Sequence, residues 1–203
     1  MAYIDLTTVK SALGITDTER DAILEQAIAA ACLSIDERTG RSFTRSGSAT
    51  TRVFRTKGRT VRPDDEGYGA ELLLVDDIAD TDGLVVEVSS NGADWVIVSS
   101  TAYEPTPDNA LAKNRPITGL LRLTASWSMF RRVRVTAVWG WPAVPDSVKQ
   151  AALLQAMRLY KRKDSPDGTA GSAEWGIIRV SHIDPDVKAL IEPYRLSGFG
   201  GGS

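Results

Sequence analysis

Cys32 and His182 are the only cysteine and the only histidine in 203 residues. Together they could supply a thiol nucleophile and an imidazole base, the minimum set for a thiol hydrolase. Cys32, however, lies in Ala29-Ala30-Ala31-Cys32-Leu33, a helical run in which a cysteine acts as a small hydrophobe. One cysteine with one histidine cannot complete a zinc site. A lone cysteine excludes an internal disulfide and fits folding in a reducing cytoplasm. Asp76-Asp77 and Asp80-Thr81-Asp82-Gly83 approach a calcium loop. The pattern then needs acids where Ile78 and Ser89 stand, so these carboxylates are expected to solvate a turn between two strands. No Walker sequence and no G-x-G-x-x-G occurs, and any serine triad would have to recruit His182. The sequence therefore predicts no enzyme, no metal and no cofactor.

The positive clusters are Arg131, Arg132 and Arg134 near one end of the middle region, and Lys161, Arg162 and Lys163 further on. They read either as a solvated strand edge and a helix end matched to its dipole, or as contacts to a phosphate backbone, for which Lys and Arg suffice. No helix-turn-helix or finger pattern accompanies them, so reading of a base sequence is not implied.

The elements that must position these residues fall into three blocks. Asp5 or Thr7 can cap a short helix through Leu13, which Gly14 ends. Asp17 and Thr18 offer the next cap, and Ile23, Leu24, Ala27, Ile28, Ala31 and Ile35 follow as one apolar stripe to Gly40. From about residue 50 the period becomes alternating. Strands are predicted at 51–55, 72–75, 84–88, 95–98, 120–123 and 132–138, with a hairpin at Ser89-Ser90-Asn91-Gly92. The proline-bearing stretch 103–116 reads as a loop. Val133, Val135 and Ala137 alternate with Arg132, Arg134 and Thr136, so one face of that strand is wet or meets a polar partner.

Helix returns after Trp139-Gly140-Trp141-Pro142. Asp146 or Ser147 caps a helix with Val148, Ala152, Leu153, Ala156, Met157, Leu159 and Tyr160 on its buried side. Residues 164–171 read as a loop and 176–180 as a short strand. Asp184-Pro185 then opens a last helix with Val187, Leu190, Ile191 and Tyr194 as its apolar face. Residues 196–203 are glycine-rich and read as a flexible tail carrying Leu196 and Phe199. The expected architecture is α+β: a helical bundle from residues 1–44 and 145–195, with an antiparallel β-rich insertion over 45–144.

Bulk properties set the remaining bounds. A 42% hydrophobic, 25% charged composition is that of a globular chain long enough to bury a core. Its longest apolar runs predict no membrane span, and Met1-Ala2-Tyr3-Ile4-Asp5 predicts no secretion signal. Net charge is −2, but residues 1–44 hold four Lys/Arg against seven Asp/Glu and residues 145–203 eight against seven. That asymmetry would suit copies packing side by side, the acidic second helix of one against the basic end of the third helix of the next.

The run Leu6-Thr7-Thr8-Val9-Lys10-Ser11-Ala12-Leu13-Gly14-Ile15-Thr16-Asp17-Thr18, with Asp21, Leu24, Ile28, Ala31, Ile35, Asp36 and Thr39-Gly40-Arg41-x-Phe43, resembles the head-to-tail connector (adaptor) proteins of long-tailed bacteriophages. Val144-Pro145, Val148-Lys149-Gln150-Ala151-Ala152, Tyr160, Asp164-Ser165-Pro166, Asp184-Pro185-Asp186-Val187 and Pro193-Tyr194-Arg195 follow in that family's order. The resemblance covers both ends of the chain. It departs in the middle, where residues 45–144 are longer and more β-rich than in compact members. It implies a structural virion protein of the neck, made in the host cytoplasm, that forms a homo-oligomeric, typically dodecameric ring. Its partners would be the portal protein and the next neck or tail-completion protein, with double-stranded DNA passing through the ring's channel. On this reading the six basic residues become candidates for the channel or for contacts between subunits, and Leu196 and Phe199 for portal docking. The nearest alternative is another neck component, a head-completion stopper or tail terminator. A thiol hydrolase and a nonspecific DNA-binding module are the rivals from other classes.

Overall fold

The computed structural model describes residues 2–63, 69–162, 169–170, 178–179 and 184–196. The chain divides into two compact units, one of residues 1–41 with 144–197 and the other of residues 42–143.

The first unit is helical and draws on both ends of the chain. Its elements are α1 (Leu6–Leu13), α2 (Asp21–Thr39), α3 (Asp146–Arg162) and α4 (Pro185–Ile191). The Asp5 carboxylate caps α1 by accepting from the Thr8 N–H at 2.6 Å. Gly14 ends that helix at φ 69°, and Gly40 ends α2 at φ 67°, both in the left-handed region where glycine carries no Cβ penalty. α2 starts later than Asp17 and Thr18 suggest. The Asp17 carboxylate accepts from the Glu19 N–H instead, closing a turn. Lys10 then pins Asp21 at 2.6 Å, so the helix begins there without a side-chain cap.

α3 packs against α2 and α4, and α1 touches both α2 and α3. Val9, Leu24, Ala31, Ile35, Val148 and Val187 are fully buried in this unit. Ile23, placed on the apolar stripe by spacing, is instead 43% exposed. On α3 the buried face includes Ala151 and Gln155, whereas Leu153, Met157 and Leu159 are half-buried. The expected helical bundle from the two chain ends is borne out.

The second unit is a seven-stranded antiparallel sheet. Its strands are β1 (Thr50–Arg55), β2 (Thr60–Val61), β3 (Glu71–Ser89), β4 (Val96–Ile97), β5 (Glu104–Thr106), β6 (Ile117–Arg122) and β7 (Arg132–Trp139). The principal order is β1-β7-β3-β6-β5, with β2 and β4 added to β3. Two predicted strands prove to be one: β3 runs unbroken through 72–75 and 84–88. The turn expected at the acids is a bulge. Asp80 pairs with Val138 and Val85 with Thr136, so β3 carries extra residues there, with Gly83 at φ 71° and the Asp80 carboxylate holding the Asp82 N–H. Ile78 is partnered on both sides, by Ile117 of β6 and Trp139 of β7. Part of the predicted loop 103–116 is β5, an edge strand that tolerates Pro105.

Val133, Val135 and Ala137 of β7 are fully buried, as alternation predicts, together with Leu73, Ile78, Val86, Leu120 and Trp127. Trp127 satisfies its indole N–H on the Leu120 carbonyl at 2.9 Å. Thr169–Ala170 pairs with Ile178–Arg179 in a separate two-stranded ladder, where the sequence predicted a strand at 176–180. The remaining residues of the predicted 164–171 loop and of that strand lie outside the described residues. No described helix is long and apolar enough to cross a membrane.

Candidate interaction surfaces

Cys32 is buried, and its Sγ accepts from the Tyr3 backbone N–H at 3.3 Å. Burial pushes its thiol up from the ordinary range, with the neighbouring Asp36 carboxylate adding to the rise. A thiol held protonated in a helix interior is a poor nucleophile. His182 lies outside the described residues. Asp36 itself is raised by burial, although the Tyr3 hydroxyl donates to it and opposes that rise. Among the described residues no three His, Cys, Asp or Glu side chains form a metal-holding group.

The sheet's solvent face is built by register. Arg134 of β7 lies opposite Val53 of β1 and Glu87 of β3, and Glu87 lies opposite Ile97 of β4. Arg134 donates through Nε and one Nη to both carboxylate oxygens of Glu87, at 2.7 and 2.5 Å, and stacks on Trp95 at 4.4 Å. This pairing holds the Glu87 carboxyl below its ordinary range. Arg134 is therefore the polar partner's counterpart on its own sheet, and its planar fork is already occupied. The same holds for other arginines of this unit: Arg45 pairs with Asp80 at 2.7 Å, and Arg52 and Arg59 share Asp76. Asp76 and Asp80, two of the acids that resembled a calcium loop, thus serve as carboxylate partners for arginines. Asp77 takes the Trp141 indole N–H at 2.9 Å.

Arg131 and Arg132 differ. Neither makes an ion pair with an acid among the described residues. Arg132 stands directly opposite Arg55 of β1. Thr56, buried, donates its hydroxyl to the Phe130 carbonyl at 2.6 Å and so binds the turn after β1 to the segment before β7. The sequence reading missed this half of the cluster. Its signal was present: Arg52, Arg55, Lys57, Arg59 and Arg62 fall within eleven residues that hold no acid. The acids that follow, Asp64, Asp65 and Glu66, lie outside the described residues.

The other basic set belongs to the helical unit. Lys161 is exposed and Arg162 half-buried in the last turn of α3, where cations match the helix dipole. Lys163 lies outside the described residues, as does Phe199. Leu196 is 43% exposed, donates its N–H to the Thr39 carbonyl at 2.9 Å and packs on Gly40. It is anchored at the end of α2. Tyr194 joins the same region by accepting from Arg41 Nε on its carbonyl at 2.8 Å.

Residues 3–63 match the family model described as phage gp6-like head-tail connector protein. The connector resemblance read at the N-terminal end is thereby borne out over α1 and α2, and the match runs on through β1, into the middle region where the sequence reading had the chain depart from the family. Two solved chains share the fold. One belongs to the neck of an empty GTA particle computed with C6 symmetry, with a TM-score of 0.55 and 20% identity over 98% of this chain and 93% of that one. The other belongs to the virion of a native gene transfer agent (GTA) particle, with a TM-score of 0.53 and 20% identity over the same shares. No curated protein matches the chain. The α+β architecture, with its sheet unit inserted between two helical segments, is that of these neck and particle chains.

Proposed function

We propose that this protein is a non-enzymatic subunit of a head-to-tail adaptor ring in the neck of a phage-like particle, docked on the portal and open along its axis for double-stranded DNA. The observation that carries the reading is the conjunction of a connector-family match over residues 3–63 with a fold alike over nearly the whole chain to a particle-neck protein. A dodecameric ring agrees with the six-fold symmetry used for that neck, because twelve copies are two per repeat. The acidic second helix and the basic end of α3 provide complementary surfaces for a head-to-tail contact that closes by rotation. Leu196 and Phe199 provide apolar anchors for the portal.

Mixing the full chain with the purified portal of the same particle, followed by electron microscopy, tests this reading. The expected result is a ring coaxial with the portal. A chain that stays monomeric and passes the portal by would overturn it. Removing residues 197–203 separates the docking segment from the fold, since Leu196 keeps its bond to Thr39. The truncated chain is expected to retain its helical unit and to lose portal docking.

A further inference from the structure

We infer that Arg55, Lys57, Arg131 and Arg132 form a docking site for the phosphodiester backbone of duplex DNA, at the end of the sheet where β1 leaves and β7 begins. The inference rests on the neck reading and gives it a specific surface. Its first ground is the register: Arg55 and Arg132 are direct cross-strand partners. Like charges so placed cost a sheet stability, and among the described residues no carboxylate forms an ion pair with either of them. The second ground is contrast. Arg45, Arg52, Arg59 and Arg134 each have a carboxylate from their own unit. Arg55, Lys57, Arg131 and Arg132 have none among the described residues. Asp94, the acid of the adjoining hairpin, is taken up by Asn91 at 2.6 Å.

The third ground is that the site is held in shape. Thr56 ties the β1 turn to Phe130, the Arg131 N–H donates to the Ser89 carbonyl at 3.0 Å, and the Arg132 side chain lies along Gly92. Arg55, Lys57 and Arg131 are exposed while Arg132 is half-buried. Several cations on one rim suit a polyanion of repeating charge better than a single carboxylate. Four phosphate contacts predict a salt slope of about −3.6, or a loss of about 150-fold in affinity between about 50 and 200 mM salt.

The test is fluorescence anisotropy of a labelled random-sequence duplex titrated with the full chain across a salt series. The double variant Arg55→Ala/Arg132→Ala should reduce the slope by about 1.8, while Lys113→Ala/Arg115→Ala, at two exposed cations of the same unit, leaves it unchanged. The double variant should unfold in urea no earlier than the parent, because it removes a repulsion; this separates lost binding from lost folding. The parent failing to bind duplex at low salt, or the slope surviving the double substitution, would overturn the inference. So would a polyglutamate peptide displacing the duplex charge for charge, which would assign the site to an acidic protein segment. Portal-bound rings from a variant that no longer binds duplex would leave the neck reading intact; absence of rings from the parent would remove that reading independently.

Discussion

Replacing Gly140 with alanine should unfold the sheet unit more readily than any other single methyl addition at its positive-φ glycines. Gly140 follows β7 at φ 106°, where an L side chain is strained by about 1–3 kcal/mol. A Cβ there would stand 1.9 Å from the Thr44 carbonyl oxygen and 2.8 Å from its carbon. Both neighbours are backbone, so neither can rotate away. Relief requires separating two segments joined by the Ser46 N–H to the Trp139 carbonyl at 2.8 Å and by the Trp139 N–H to the Ser46 hydroxyl at 2.9 Å. Overpacking of this kind adds about 1–3 kcal/mol. With the entropy returned by restricting the unfolded chain, about 0.4–1 kcal/mol, the expected loss is about 3 kcal/mol at the centre of a range of about 1–5.5 kcal/mol.

Gly83→Ala is the control, because Gly83 also has positive φ, 71°, but nothing within 4 Å of its missing Cβ. Strain alone predicts a loss of about 1 kcal/mol there. Urea unfolding followed by tryptophan fluorescence reads mainly the right unit, since four of the five tryptophans, Trp95, Trp127, Trp139 and Trp141, lie in it. At about 2 kcal/mol per molar urea, Gly140→Ala should lower the midpoint by about 1.5 M, against about 0.5 M for Gly83→Ala. Equal midpoints for the two variants would refute the claim that the close approach of Thr44 fixes the identity of residue 140.

Two titration experiments test the buried and paired carboxylates. Burial raises Asp36, so its native site favours the protonated form. The stability this gives is full below the ordinary carboxylate range and is lost as pH rises through the raised value. Asp36→Asn should remove that component, so the stability difference between parent and variant should grow against the parent as pH rises; a difference independent of pH would contradict this. Glu87 runs the other way. Arg134 lowers it, so its contribution is present above the ordinary carboxylate range and is lost as pH falls through the lowered value. Glu87→Gln should therefore weaken the sheet near neutrality and converge with the parent in acid, as urea midpoints between neutral and acid pH would reveal.

Helix ends were legible because their determinants are local. Asp5, Gly14, Gly40 and Asp184-Pro185 act through bonds and φ values within a turn of themselves, and each stands where the sequence placed it. The start of α2 was misread because Asp17 had two local uses, a helix cap or a turn; it closes the turn, while Asp21 at the helix start is paired with Lys10 of another helix. The acids at 76–82 were misread for a similar reason. In sequence they form a polar break between two apolar runs. In the folded sheet Arg45, Arg52 and Arg59 offset their charge, and the backbone passes through as one strand. The candidate basic residues were legible as types but not as a set.

Sequence alone determined the α+β class, the helical character of both chain ends and the inward face of β7, because periodicity and caps are properties of neighbouring residues. Tertiary structure alone decided which arginines are occupied. Arg134 and Arg132 are two residues apart on one strand face, yet register gives the first a carboxylate and the second another arginine. Cross-strand register is a relation between distant segments, set when the apolar faces close over a common core, and no local pattern around either residue encodes it.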